Sequence, residues 1–171
     1  MTTYEFSIIA SGLDPQAADF EARFYNAGCD DALVAFQKGR IIVDFAREAA
    51  SVDEAISSAV EDVRRAGAKV EHVEPDPLVN LSDIAKRSGL TRAAVHNYAT
   101  GARGVGFPAP VARVTTESPL WDWAEVSGWL VAKGTLAQDV WAQAVTVRQY
   151  NMGLRPAEAP QPNQPPKRLI A

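Results

Sequence analysis

The side chains able to do chemistry are few in this 171-residue chain, and they do not assemble into a catalytic set. There is one cysteine, Cys29, followed by Asp30-Asp31, and there are two histidines, His72 and His96. Cys-Asp-Asp offers three metal- or redox-capable groups in a row. It reads equally as a polar helix-to-strand turn beside a buried thiol, the usual fate of a free cysteine, and that is the expectation here. One thiol cannot form an intrachain disulfide, and a single cysteine with two distant histidines does not make a structural zinc site. GARGVG (101–106) has the glycines of a phosphate loop, but it follows a helical pattern rather than a strand and lacks the Lys-Ser/Thr of a P-loop. No paired carboxylates and no nucleophile–base pattern appear. The chain is expected not to be an enzyme and to need no cofactor or metal.

What remains is charge. The formal net charge is −4, which at first argues against a nucleic-acid partner. Its distribution reverses that reading. Residues 1–77 hold 15 acids and 7 bases, net −8. Residues 78–113 hold a single acid, Asp83, against Lys86, Arg87, Arg92, Arg103 and Arg113, net +4. Residues 114–171 are neutral. Such asymmetry points to two modules with different partners, divided at Pro75-Asp76-Pro77, where two prolines favour extended backbone.

The elements that carry these groups follow from periodicity. Residues 3–10 alternate as a strand, with Tyr4, Phe6 and Ile8 on one face. Asp14-Pro15 reads as a helix start, with Ala17, Phe20, Phe24 and Ala27 at helical spacing and Gly28 as the stop. Residues 32–37 and 40–47 form a hairpin through Lys38-Gly39. Ser51 and Glu54 make a capping box for a helix with Val52, Ile56, Ala59 and Val63 inward, closed by Gly67. Residues 69–73 form a last strand. The fold class is therefore α+β: residues 1–74 have the βαββαβ order of a ferredoxin-like sandwich. In order and length they resemble the amino-acid-binding ACT type of sensing domain, a resemblance of topology without a binding motif. Dimerisation, sensing or partner binding is the role expected of them.

Residues 81–101, LSDIAKRSGLTRAAVHNYATG, fit two short helices joined at Gly89. Ser82 is expected to cap the first and Thr91 the second. Ile84, Ala85, Leu90, Val95 and Tyr98 face inward, and Ala85 is small where the helices cross. This stretch resembles the helix-turn-helix of bacterial transcription regulators. With GFPAPVARV and PLWDWAEVSGWL behind it, residues 78–131 resemble the winged helix-turn-helix of the excisionase, AlpA and MerR-like group of bacterial and phage proteins. Phe107, Pro108 and Pro110 match the lead into a β-wing; Trp121 or Trp123, Val126, Trp129 and Leu130 match the closing helix. The match covers about a third of the chain. It departs from the group in a short second helix, in the glycine insertion before Phe-Pro, and in lacking a coiled-coil dimerisation helix.

The resemblance implies a cytoplasmic, sequence-specific double-stranded DNA-binding regulator, with helix 91–100 in the major groove. Base contacts fall to Thr91, Arg92, His96 and Asn97: Arg92 suits guanine and Asn97 adenine, while His96 contacts a base or bonds Thr100 or Asp83. Phosphate contacts fall to Lys86, Arg87, Arg103 and Arg113, and Tyr98 either reaches a phosphate or packs. A homo-oligomer is expected. The alternative is an antitoxin-like or adaptor protein, whose acidic residues 1–74 bind a basic partner while the winged helix represses its own operon.

Residues 135–151 read as a helix capped by Thr135, ended by Gly153, and docked on its own chain or on a second subunit. Residues 154–171 read as a flexible proline-rich tail ending in Lys167-Arg168-Leu169-Ile170. MTTYEFSIIA lacks the basic and apolar regions of a signal peptide, and no apolar run approaches membrane-spanning length. Residues 1–77 alone are expected to fold without binding DNA.

Overall fold

The computed structural model describes residues 1–154; the proline-rich tail lies outside the described residues. The chain is mixed α+β, with a four-stranded antiparallel sheet, a two-stranded pairing and six helices among the described residues. No helix among them is long and apolar enough to cross a membrane.

Six elements build the first half: β1 (Thr2–Ser11), α1 (Phe20–Asn26), β2 (Ala32–Gln37), β3 (Arg40–Ala49), α2 (Val52–Arg65) and β4 (Lys69–Glu74). The sheet order is β2-β3-β1-β4, every neighbour antiparallel. Alternation selects the buried face. Phe6, Ile8 and Ala10 of β1 and Ile41, Val43 and Phe45 of β3 are buried beneath the helices, and the Phe6 and Phe45 rings stack with centroids 5.4 Å apart. Against them α2 turns Ala55, Ile56, Ala59, Val60 and Val63. Its start forms half of the expected box: Ser51 Oγ accepts from Glu54 N, but Glu54 Oε2 accepts from Ala50 N, one residue before the cap.

The start of α1 differs from expectation. Asp14 does not cap it. Asp14 Oδ1 accepts from Gln16 N and Asp14 O from Ala17 N, so this aspartate holds a local turn, and the helix begins only at Phe20. Ala17 is exposed; burial of Phe20 and Phe24 fixes where the helix lies.

One buried residue on β3 is charged. Continuing the 41-43-45 alternation places Arg47 on the helix-covered face, 8% exposed. All five of its N–H donors are used. Nε and Nη2 take both oxygens of Asp31 (2.8 and 2.9 Å), Nη1 takes Asp62 and Ser58, and Nη2 also takes the Gly28 carbonyl. The expected polar turn therefore has a specific role: Asp31 pairs with Arg47, Asp30 is exposed, and Cys29 is buried beside them.

The second half comprises β5 (Leu78–Val79), α3 (Leu81–Ser88), α4 (Arg92–Ala99), β6 (Trp121–Asp122), α5 (Trp123–Ala132) and α6 (Gln138–Leu154). A second core gathers Val79, Ile84, Ala85, Val95, Trp121, Trp123, Val126 and Leu130. The bounds of α6 also differ from expectation, because Thr135 is committed elsewhere. Thr135 N donates to Leu130 O and Gly134 N to Val131 O, with Gly134 at φ 76°: a Schellman closure of α5. At the far end α6 runs through Gly153 to Leu154, since Tyr150 and Leu154 still pack on the first core.

The helix α6 docks on its own chain and serves both cores. Ala144 belongs to the second core and Val147 to the first. Gln143 Nε2 donates to Glu5 O at 2.8 Å, and Arg148 lies 3.4 Å from Asp122. Asn151 bonds both backbone groups of Val73. The crossing with α5 is close: a Cβ on Gly128 would come within 2.9 Å of Trp141 Nε1.

Candidate nucleic-acid interface

Asn80, not Ser82, starts α3. Asn80 Oδ1 accepts from Asp83 N (2.9 Å) and Asp83 Oδ2 accepts from Asn80 N (3.1 Å). This reciprocal box satisfies two terminal donors at once. Ser82 is left inside the first turn and exposed. At the other end Gly89 takes the left-handed conformation, φ 71°, which a side chain adopts only at a cost. Thr91 then caps α4 as expected, its Oγ1 accepting from Ala94 N.

Burial orients α4. Val95 is fully buried, and Ala94, Tyr98 and Ala99 are half-buried. The opposite stripe, Thr91, Arg92, Ala93, His96, Asn97 and Thr100, is exposed. Thr100 Oγ1 donates to Asn97 O, and Asp83 is committed to Asn80, so neither alternative partner bonds the His96 ring. Arg92 shares a small cavity, about 70 Å³, with Ser82, Glu117 and Pro119, so the 114–120 loop reaches the start of α4.

Tyr98 packs. Its ring lies against Trp129 (4.9 Å) and parallel to Phe107 (6.3 Å). These aromatics hold the glycine-rich loop: Trp129 Nε1 donates to Val105 O and Trp121 Nε1 to Pro108 O. Gly101, Gly104 and Gly106 all have φ near 80°. Arg103 is exposed, its guanidinium 5.8 Å from the Tyr98 ring centre. The expected β-wing reduces to one bridge, Ala112 with Leu120, because prolines 108, 110 and 119 remove the donors a longer ladder needs. Arg113 is exposed where that bridge turns.

Lys86 is exposed on α3. Arg87 stands apart from the other bases. Its Nη1 donates to Asp76 O at 2.8 Å, and its guanidinium lies 5.4 Å from the Trp123 ring. Burial pulls its pKa below the usual arginine range, and Asp83, Asp76 and Glu74 oppose that shift. Arg87 thus ties the linker to the second core. Lys133, outside the segment counted as basic, lies 4.8 Å over Trp129 and beside Gly104, which adds a cation at the same loop. Only its position after the Trp129 turn hints at this in the sequence.

Most of the acids lie on the first half. A cleft of about 900 Å³ beside the sheet is lined by Glu5, Asp44, Glu74 and Asp76 and by the Asp30-Asp31 turn, with Arg87 and Gln143 at its rim. Comparison with known protein families, curated proteins and solved structures finds no match.

Proposed function

We propose that the chain is a sequence-specific double-stranded DNA-binding regulator of bacterial or phage type, in which α4 enters the major groove. The observation that carries this is the exposed stripe of Arg92, Ala93, His96 and Asn97 on a helix whose opposite side is locked by Val95. It offers a guanidinium fork and a carboxamide, the groups that match guanine and adenine edges. Lys86, Arg103, Arg113 and Lys133 supply phosphate contacts, with Thr91 at the helix start. Gly89 at the turn and the tryptophan-closed core support a winged helix-turn-helix reading of residues 78–131. The strand order of the first half, with its helices on one face, supports the ferredoxin-like reading.

Selection of duplexes from a genomic library tests this. Arg92→Ala relaxes preference at one or two bases and loses about 1–3 kcal/mol, whereas Lys86→Ala weakens all sequences alike. Four phosphate contacts give a log–log salt slope of about −3 to −4. A wild-type chain without salt-sensitive DNA binding sinks the proposal.

A second reading, an antitoxin-like or adaptor protein, draws on the acid-lined cleft, which suits a basic partner. Co-purification of a basic protein, lost on Asp44→Lys, favours it.

A further inference from the structure

The sheet treats its two edges differently. At the β4 edge, Asn151 of α6 occupies both outward groups of Val73. The β2 edge has no such cover among the described residues. The pairing of β2 with β3 fixes which groups it offers. Lys38 and Gly39, both at positive φ, form a two-residue turn, so Gln37 and Arg40 are a hydrogen-bonded pair. Hydrogen-bonded pairs recur every second residue, and the bond from Ala46 N to Asp31 O confirms the phase. Val34 and Phe36 therefore direct N–H and C=O away from β3. Ala32 N is already spent on Cys29 O.

The strand is also unguarded by sequence. Ala32–Gln37 contains no charge, proline or bulge, the usual devices that blunt an edge. Leu33 is 77% exposed and Phe36 48%, and Tyr25 of α1, which lines a pocket with Leu33 and Val34, is 67% exposed. Its ends carry opposite exposed charges, Asp30 before and Lys38 after; Asp31 is held by Arg47 and Arg40 by Glu71.

We infer that β2 is a homodimer interface: two copies pair antiparallel through β2 about a dyad at Ala35, joining their sheets into one of eight strands. This centre leaves no free group of Val34 or Phe36 unpaired. Val34 and Phe36 of one copy exchange bonds with Phe36 and Val34 of the other, four in all, whereas a dyad at Val34 sets the Phe36 carbonyls against Ala32 N, which is already spent. The register sets Phe36 against Val34, an aromatic with a β-branched residue, and small Ala35 against Ala35 where the chains approach closest. It also brings the exposed Asp30 of each copy toward Lys38 at the turn of the other, whereas Arg40 faces across its own sheet to Glu71. A second copy of this chain is thus the partner whose charges fit, and the inference holds whether or not the protein reads DNA.

The test uses the full chain. Sedimentation equilibrium of wild type gives a dimer. Asp30→Arg weakens it several-fold, and Asp30→Arg with Lys38→Asp restores it. Ala35→Cys, treated with diamide, which takes up the two electrons and two protons of the paired thiols, gives a covalent dimer. The Cα atoms of such a non-hydrogen-bonded pair, about 4.5 Å apart, fall within disulfide range. Leu33→Cys, offset from its own copy by about 13 Å along the strand, gives none. A monomeric wild type, or Leu33→Cys cross-linking as fast as Ala35→Cys, overturns the inference. So does a dimer that leaves the Val34 and Phe36 amides unprotected from hydrogen exchange.

Discussion

Asn151 and Val73, 78 residues apart, pair as two strands would: Val73 N donates to Asn151 Oδ1 at 2.7 Å, and Asn151 Nδ2 donates to Val73 O at 2.9 Å. A single carboxamide has both functions a peptide edge needs. Val73 is buried, so both of its groups lose their partner when the amide is removed. Asn151→Leu is expected to cost about 1–3 kcal/mol in urea unfolding. Asn151→Asp, which keeps the acceptor alone, should still lose the bond to Val73 O. A change below a few tenths of a kcal/mol would mean that water replaces the side chain.

The same pairing bears on truncation. Residues 1–77 alone lack Val147, Tyr150, Leu154 and Asn151, which cover part of the first core and the β4 edge. Such a fragment should melt well below the full chain, and adding a peptide of residues 136–154 should raise its melting temperature. A fragment as stable as the whole chain would show that α6 serves only the second core.

Arg47 is a separate case. Its five donors hold the Gly28 turn, the Asp31 end of β2 and the Asp62 side of α2 together. Arg47→Ala leaves Asp31 without its cation and Asp62 with only the exposed Arg65, and should cost about 3 kcal/mol. Removing all three charges, in Arg47→Met with Asp31→Asn and Asp62→Asn, should be far less costly than the sum of the single changes. Additive losses would exclude a shared network.

These relationships explain which parts were legible in the sequence. The strands and α2 declare themselves because alternation and the 3.6-residue stripe are local, as is the Ser51 cap. Gly89 and Thr91 are equally local, and so the exposed stripe of α4 could be named residue by residue. Asn80 was hidden because Ser82 carries the same capping signal two positions on, and only burial of Ile84 and Ala85 decides between them. Thr135 misleads for a similar reason: its backbone closes one helix where its side chain suggests the start of another. Asn151–Val73 and the inward turn of Arg47 depend on distant partners, and pattern cannot show them.

Arg92 and Glu117 border the same small cavity at the start of α4. On the proposed DNA-binding role, a carboxylate there competes with phosphates and bases for the guanidinium. Glu117→Gln should therefore tighten DNA binding and shift the salt slope by about one, with base preference unchanged. Weaker binding on this change would mean that Glu117 positions Arg92 instead.

Cys29 sets a pH dependence. Burial, reinforced by the Asp62 carboxylate and opposed by Arg47, pushes its thiol up to about 11. In the unfolded chain a thiol ionises near about 8.5. Between these values the unfolded chain gives up a proton that the native chain keeps, so the thiol's contribution is complete below pH 8.5 and shrinks as pH rises toward 11. At pH 10 the loss is about 1–2 kcal/mol. Lysines and tyrosines titrate there too, but equally in a Cys29→Ala variant. The readout is therefore the stability difference between wild type and that variant, measured by urea at pH 7.5 and pH 10, and it should narrow. The buried thiol should also label with an alkylating reagent only as fast as the chain opens. Rapid labelling in the absence of denaturant, or a gap that stays constant with pH, would mean that the thiol ionises in the native state.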